Sequence, residues 1–134
     1  MTHPFIYIST WKIKEGGLVD IKRTSSELVK LFQENEPQLI AFNTYVNEEG
    51  TEMTSIQIHP DSASMDLHMQ VLGKVFGEVE GMAEAFEFIE AKSFEIYGQP
   101  SANLMEADNQ YIEAGVPHII KPMHIAGFTR SGAG

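Results

Sequence analysis

The sequence predicts an α+β fold of the ferredoxin-like type, a βαββαβ unit with an antiparallel four-stranded sheet. Three observations carry this. Short runs of β-branched and aromatic residues alternate with two longer stretches of helical apolar spacing, in the order strand, helix, strand, strand, helix, strand. Glu48-Glu49-Gly50 joins the middle two strands in a loop short enough to make them an antiparallel hairpin. Glu15-Gly16-Gly17, Pro37, Pro60, and Gly98 with Pro100 punctuate the remaining boundaries.

Phe5–Lys14 reads as the first strand, with Trp11 and Ile13 continuing its alternation. The first helix spans about Leu18–Glu36, where Leu18, Ile21, Ser25, Leu28 and Phe32 fall on one stripe. Gln38–Asn47 and Thr51–His59 form the hairpin. Pro60 holds His59 extended, and Asp61 or Ser62 can cap the next helix by accepting from its first free N–H groups. That helix carries apolar residues at 65, 69, 72, 76, 79, 83 and 86, with His68 on the stripe of Met65, Met69, Leu72 and Phe76. Gly73, Gly77 and Gly81 would together cost a continuous helix about 2–3 kcal/mol relative to alanine, so a break or bend is expected near Gly77–Gly81. Ala91–Tyr97 completes the sheet. Residues 1–100 are thus expected to form the ferredoxin-like domain. Residues 101–134 form a tail: a helix over Ser101–Ala114, a stop at Gly115, a short strand within Val116–Lys121, and disorder over Ser131–Gly134. The tail is expected to pack on the domain or on a partner subunit.

Bulk properties narrow the function. The 134 residues suffice for one domain with a real core, and 43% hydrophobic with 21% charged residues is a globular composition. A formal charge of −10 argues against nucleic acid and anionic membrane surfaces as partners. No cysteine is present, which excludes disulfides, thiol catalysis and thiolate metal sites. Met1–Pro4 is polar and the apolar run after it is only a strand long, so no secretory leader is expected. No stretch approaches the roughly 20 apolar residues of a membrane helix. A cytoplasmic protein is the expectation.

Strand alternation sorts the sheet residues into two sets. Ile6, Ile8, Ile40, Phe42, Val46, Ile56, Ile58, Phe94 and Ile96 form an apolar set, expected under the helices. Tyr7, Ser9, Trp11, Ala41, Asn43, Tyr45, Met53, Ser55, Gln57, His59, Glu95 and Tyr97 form a mixed aromatic and polar set, expected on the open face. Such a face suits association, and two sheets packed through it would make a barrel about a two-fold axis. A homodimer is therefore expected.

From Gln57 through His59 and Asp61 to His68 the chain resembles the dimeric α/β-barrel superfamily, and within it the antibiotic-biosynthesis monooxygenase-like group. The resemblance covers about Phe5–Gly98. Members often carry an acidic residue, an aromatic two positions on, an Asp or Ser at a helix start and a His on its first turns. Here Gln57, His59, Asp61 and His68 hold those places, and Gln57 departs from the pattern because it is no carboxylate. The resemblance implies a small-molecule enzyme of the cofactor-independent monooxygenase or isomerase kind.

His68 is the leading catalytic candidate, as a general base beside an apolar pocket, with Asn43 and Tyr45 as donors to a developing anion. Trp11, Phe42, His59, Met65 and Met69 are the expected substrate-binding residues for a small apolar or aromatic molecule. No metal site is expected: His59, Asp61 and His68 lack the spacing of a zinc helix. No cofactor is expected either. Two other readings remain open here, a non-catalytic module that binds a hydrophobic ligand or merely dimerises, and a haem protein with His68 as axial ligand. For the enzyme, the pocket is expected between the second helix and the sheet, provided the glycines bend that helix away.

Overall fold

The computed structural model describes residues 3–130, so the expectation for Ser131–Gly134 lies outside the described residues. Along the chain run β1 (Phe5–Ile13), α1 (Leu18–Asn35), β2 (Ala41–Val46), β3 (Glu52–His59), α2 (Ser62–Val75), α3 (Met82–Phe86), β4 (Ile89–Tyr97), α4 (Ala102–Glu113) and β5 (His118–Lys121). The sheet order is β2-β3-β1-β4-β5. Each neighbouring pair among the first four strands is antiparallel, which is the expected ferredoxin-like core. β5 adds to β4 in parallel and makes the sheet a mixed one of five strands. Among the described residues no helix is long and apolar enough to cross a membrane.

Local chemistry sets the elements that matter for the site. Asp61 caps α2, its carboxylate accepting from the Ser64 N–H at 3.0 Å. The second helical stretch breaks at the glycines. α2 ends at Val75, Phe76–Glu78 forms a single tighter turn, and α3 restarts after Gly81. Gly81 has φ +79°, a left-handed conformation that costs any residue with a Cβ. A Cβ at Gly73 or Gly77 would meet nothing within 4 Å, so close helix packing is not what those glycines serve.

The sheet faces differ from expectation. Tyr7, Ser9, Met53, Ser55, Gln57 and His59 are buried beneath the helices, and Trp11 packs there too. Ile6, Ile8, Ile56 and Ile58 alternate with them and point to the opposite side. Phe42, Val46, Phe94 and Ile96 do lie under the helices, and Asn43 and Tyr45 on the open face, as expected. The error is therefore confined to β1, β3 and the strand-end residue Ile40, which is exposed. Its cause is register: Phe42 stands opposite Gln57, and Ile96 opposite Tyr7, and directly opposed residues share a face. Alternation separates two sets within a strand but does not say which set of one strand joins which of the next. Among the described residues, the four helices cover the Tyr7–Gln57 side and none covers the isoleucine side.

The core on the helix side falls into three groups. Phe5, Tyr7, Phe94 and Ile96 meet Met65 of α2 and Leu104 of α4. Ile13 and Met53 meet Ile21 of α1. Phe32 of α1 meets Val71 and Val75 of α2. Each fully buried phenylalanine contributes about 2–3 kcal/mol by leaving water. α4 is capped by Ser101, whose hydroxyl accepts from the Leu104 N–H, so the segment after Pro100 is built into the same core.

Candidate active site

Between these three groups the helices stand off the sheet and leave a cavity of about 410 Å³. Its floor is the helix-facing side of β1–β3. One cross-strand row places Phe42, Gln57 and Tyr7 side by side, and the next places Thr44, Ser55 and Ser9. Its walls are largely apolar and aromatic, with Phe32 from α1, Met65 and Met69 from α2, Phe86 from α3 and Tyr111 from α4. A volume of this size suits a small organic molecule.

His68 enters from α2 and is only 3% exposed. Its Nδ1 lies 2.8 and 3.0 Å from the two carboxylate oxygens of Glu36, which sits just past the end of α1 and is itself buried. A carboxylate only accepts, so Nδ1 carries the hydrogen and the lone pair of the neutral ring sits on Nε2. Nε2 meets no protein partner. Every fully buried side-chain nitrogen and oxygen among the described residues is hydrogen-bonded, so Nε2 opens onto the cavity that His68 lines. Phe32 and Phe42 hold the ring, with centroids 4.5 and 5.6 Å from its own.

His59 is wholly buried behind His68, with ring centroids 5.9 Å apart. Burial, and then the neighbouring His68, push its pKa down to about 4, against a smaller opposing effect of Asp61. It is neutral near pH 7. Its Nε2–H donates to Gln57 Oε1 at 3.0 Å, and its bare Nδ1 accepts from the Ser64 hydroxyl at 2.7 Å. With Oε1 taken up, the Gln57 amide N–H groups are left for the cavity. Thr44 and Ser55 share a hydrogen bond of 2.9 Å, so one of their two hydroxyl hydrogens also stays free.

A third polar group faces the cavity from the other flank. Asp108 of α4 accepts from the Tyr7 hydroxyl, 3.1 Å from each oxygen, and lies 3.2 Å from Nε2 of His118 on β5. Burial raises the Asp108 carboxyl above its ordinary range, against the hydrogen bonds from Tyr7 and His118, which lower it. Tyr7 is raised by burial and then by the Asp108 charge, so it stays a phenol.

A scan against protein-family models gives no match, and a search of curated proteins gives none either. Solved structures do match. MupZ from Pseudomonas fluorescens superposes with a TM-score of 0.68 at 16% identity, over 96% of this chain and 95% of that one. SnoaB from Streptomyces nogalater, described as a cofactor-independent oxygenase, gives 0.53 at 8% identity, over 74% of this chain and 95% of its own. A dimeric ferredoxin-like protein from an uncultured marine organism gives 0.51 at 16% identity, over 69% and 94%. The chain shares the fold of the antibiotic-biosynthesis monooxygenase-like proteins. At these identities the likeness is one of fold.

Of the residues singled out in the sequence, the structure gathers His68, Trp11, Phe42, Met65 and Met69 around the cavity, with His59 one layer behind. Asn43 and Tyr45 are not among them. They project from the open face of β2, with Tyr45 62% exposed, and the thickness of the sheet separates them from His68. Tyr7 and Asp108 also line the cavity, with Glu36 behind His68 and His118 behind Asp108, and none of these four was named as a site residue. One signal for Glu36 was present, because it continues the apolar stripe of α1 four residues after Phe32. A carboxylate at a core position is a residue awaiting a partner.

Proposed function

We propose that this chain is an enzyme of the cofactor-independent monooxygenase or isomerase type, which uses His68 to take a proton from a small apolar or aromatic molecule. The observation that carries the reading is the Glu36–His68 pair, with Nδ1 bound to the carboxylate and Nε2 open to a largely apolar cavity. A buried carboxylate fixes the tautomer and stabilises the imidazolium that forms when Nε2 accepts a proton. The molecules that fit are carbon acids, whose C–H next to a carbonyl is acidic enough for imidazole. Loss of the proton moves charge onto the carbonyl oxygen. The Gln57 amide and the Ser9 hydroxyl on the cavity floor supply donors for it, at the position where the expected donors Asn43 and Tyr45 are missing. The resulting carbanion can be reprotonated or can meet dioxygen, and both reaction types start from this step.

The chain is also proposed to work as a homodimer, through the isoleucine face that no helix covers. The test of the chemical reading is hydrogen exchange. Acetophenone incubated with the protein in heavy water should gain deuterium at its methyl carbon, detected by mass spectrometry. His68→Gln should slow that gain by about a hundredfold or more while leaving the circular dichroism spectrum unchanged. Exchange at the same rate with and without the protein would remove the reading.

A further inference from the structure

We propose that Asp108, held between Tyr7 and His118, is the proton donor that works opposite His68, and that the cavity therefore isomerises an apolar unsaturated ketone without oxidising it. This rests on the reading of His68 as base and adds the second half of the reaction.

The hydrogen-bond pattern shows that the Asp108 group holds a proton to give. His118 Nδ1 lies 3.2 Å from the Val116 carbonyl oxygen, which only accepts, so Nδ1 carries a hydrogen. The 3.2 Å contact between His118 Nε2 and Asp108 Oδ2 also needs a hydrogen between its two atoms. The pair is then either a carboxylic acid beside a neutral imidazole or a carboxylate beside an imidazolium. Both forms are neutral overall and both carry one transferable proton. The Tyr7 hydroxyl donates to the same carboxyl and orients it. In the Glu36–His68 pair the hydrogen bond accounts for the hydrogen on Nδ1 alone, and Nε2 faces the cavity with no protein partner, placed to accept a proton. One member of each pair lines the same cavity, His68 against Phe42 of β2 and Asp108 against Tyr7 of β1, and those strands lie about 10 Å apart at the usual spacing. A small ketone can touch both at once.

The step balances with no co-reactant. Nε2 of His68 takes a proton from the carbon between the carbonyl and a carbon–carbon double bond. The C–H electron pair becomes a new C=C bond, the carbonyl π pair moves to oxygen, and Asp108 gives its proton to that oxygen, leaving a dienol. His68 then returns its proton to the far end of the diene while Asp108 recovers the hydroxyl proton. One C–H bond is broken and one formed, and the product is the conjugated ketone. Placing an acid and a base at two ends of one apolar site is how such proton shifts are accelerated. The titratable groups around Asp108 are Tyr7 from β1, His118 from β5 and Tyr111 from its own helix, with Glu36–His68 across the cavity. The Tyr111 phenol is raised by burial and by Asp108 and stays protonated.

The experiment uses allyl phenyl ketone under argon, followed through the near-ultraviolet absorbance of its conjugated isomer. Wild-type protein should convert it, at a rate that falls at high pH as the Asp108 carboxyl gives up its proton. Asp108→Asn should lower kcat about a hundredfold with KM within about threefold, and should abolish the high-pH fall. Because Asp108 is buried, His118→Gln provides a second, milder variant, expected to retain turnover while displacing the high-pH limb. Turnover by Asp108→Asn within about threefold of wild type, or a high-pH limb unmoved in both variants, overturns the proposal. So does a reaction that needs air and yields a product with added oxygen. If wild type exchanges the ketone's α-hydrogens for deuterium but forms no conjugated isomer, this inference falls and the base reading stands. If it does neither, both fall.

Discussion

Glu36 and His68 show what a single buried pair imposes on the molecule around it. Truncating the carboxylate leaves Nδ1–H without an acceptor in a closed site, and Glu36→Ala should cost about 2–4 kcal/mol in urea denaturation. Glu36→Gln keeps a hydrogen-bond acceptor but not the charge that balances an imidazolium. It should cost less stability and still slow ketone deuterium exchange by about 10–100-fold. Equal exchange rates in Glu36→Gln and wild type would show that the carboxylate takes no part. His59 makes a separate, thermodynamic prediction. Its folded pKa of about 4 lies below the ordinary histidine value of 6.5, so between these pH values the unfolded chain binds more protons than the folded one. The contribution is complete above pH 6.5 and is lost as pH falls towards 4, by on the order of 2–3 kcal/mol. Comparing urea midpoints of wild type and His59→Gln from pH 7 to 4 isolates it. The wild type should lose more stability than the variant across that interval, and parallel curves would refute the assignment.

Among the elements, the interrupted helix between β3 and β4 has the clearest mechanical role. Its break at Phe76–Gly81 allows α3 to bring Met82 and Phe86 over the cavity instead of continuing along the axis of α2. Two alanine substitutions separate this from ordinary helix propensity. Gly73→Ala lies within α2 with open space about it and should stabilise by about 0.5–1 kcal/mol. Gly81→Ala should destabilise by about 1–2 kcal/mol, because its φ is +79° and the new methyl would meet the Arg23 guanidinium. Thermal melts of both variants check the contrast. The break was legible in the sequence, since three glycines at four-residue intervals are too costly for an unbroken helix. The strand order and the Asp61 cap were legible for similar local reasons. The faces of β1 and β3 were not. A polar face reads as exposed unless the polar groups are known to satisfy one another, as Gln57, His59 and Ser64 do. Nor were the partners of Tyr7, because Asp108 and His118 follow Pro100, and no local periodicity links them to a strand at the start of the chain.

For the whole molecule, the register of β1 and β3 leaves an open sheet surface built from Ile6, Ile8, Ile56 and Ile58, with Ala41 and Tyr97 in the same cross-strand rows. Isoleucine rows on a sheet with helices on one side only are expected to meet a second copy. Ile56→Lys would place an ammonium at the centre of that contact. It should yield a 15.0 kDa monomer in sedimentation equilibrium where wild type sediments at twice the mass, with the far-ultraviolet circular dichroism preserved. A monomeric wild type at micromolar concentration would remove the homodimer.

The Tyr7–Asp108 contact joins residues 101 positions apart, and β5 can add to the sheet only after β4 is in place. Closing so long a loop is a slow entropic search, and its reward comes only when α4 docks. Competence should therefore lag behind structure during refolding. The β1–β4 sheet and its helices can form on their own timescale, while the second polar flank of the cavity arrives with the last quarter of the chain. During synthesis the same order holds, since α4 and β5, with Asp108, Tyr111 and His118, are made after the other elements around the cavity. A nascent chain can acquire most of its sheet while still unable to hold a substrate between two proton-exchanging ends, so the finished reaction marks the finished fold.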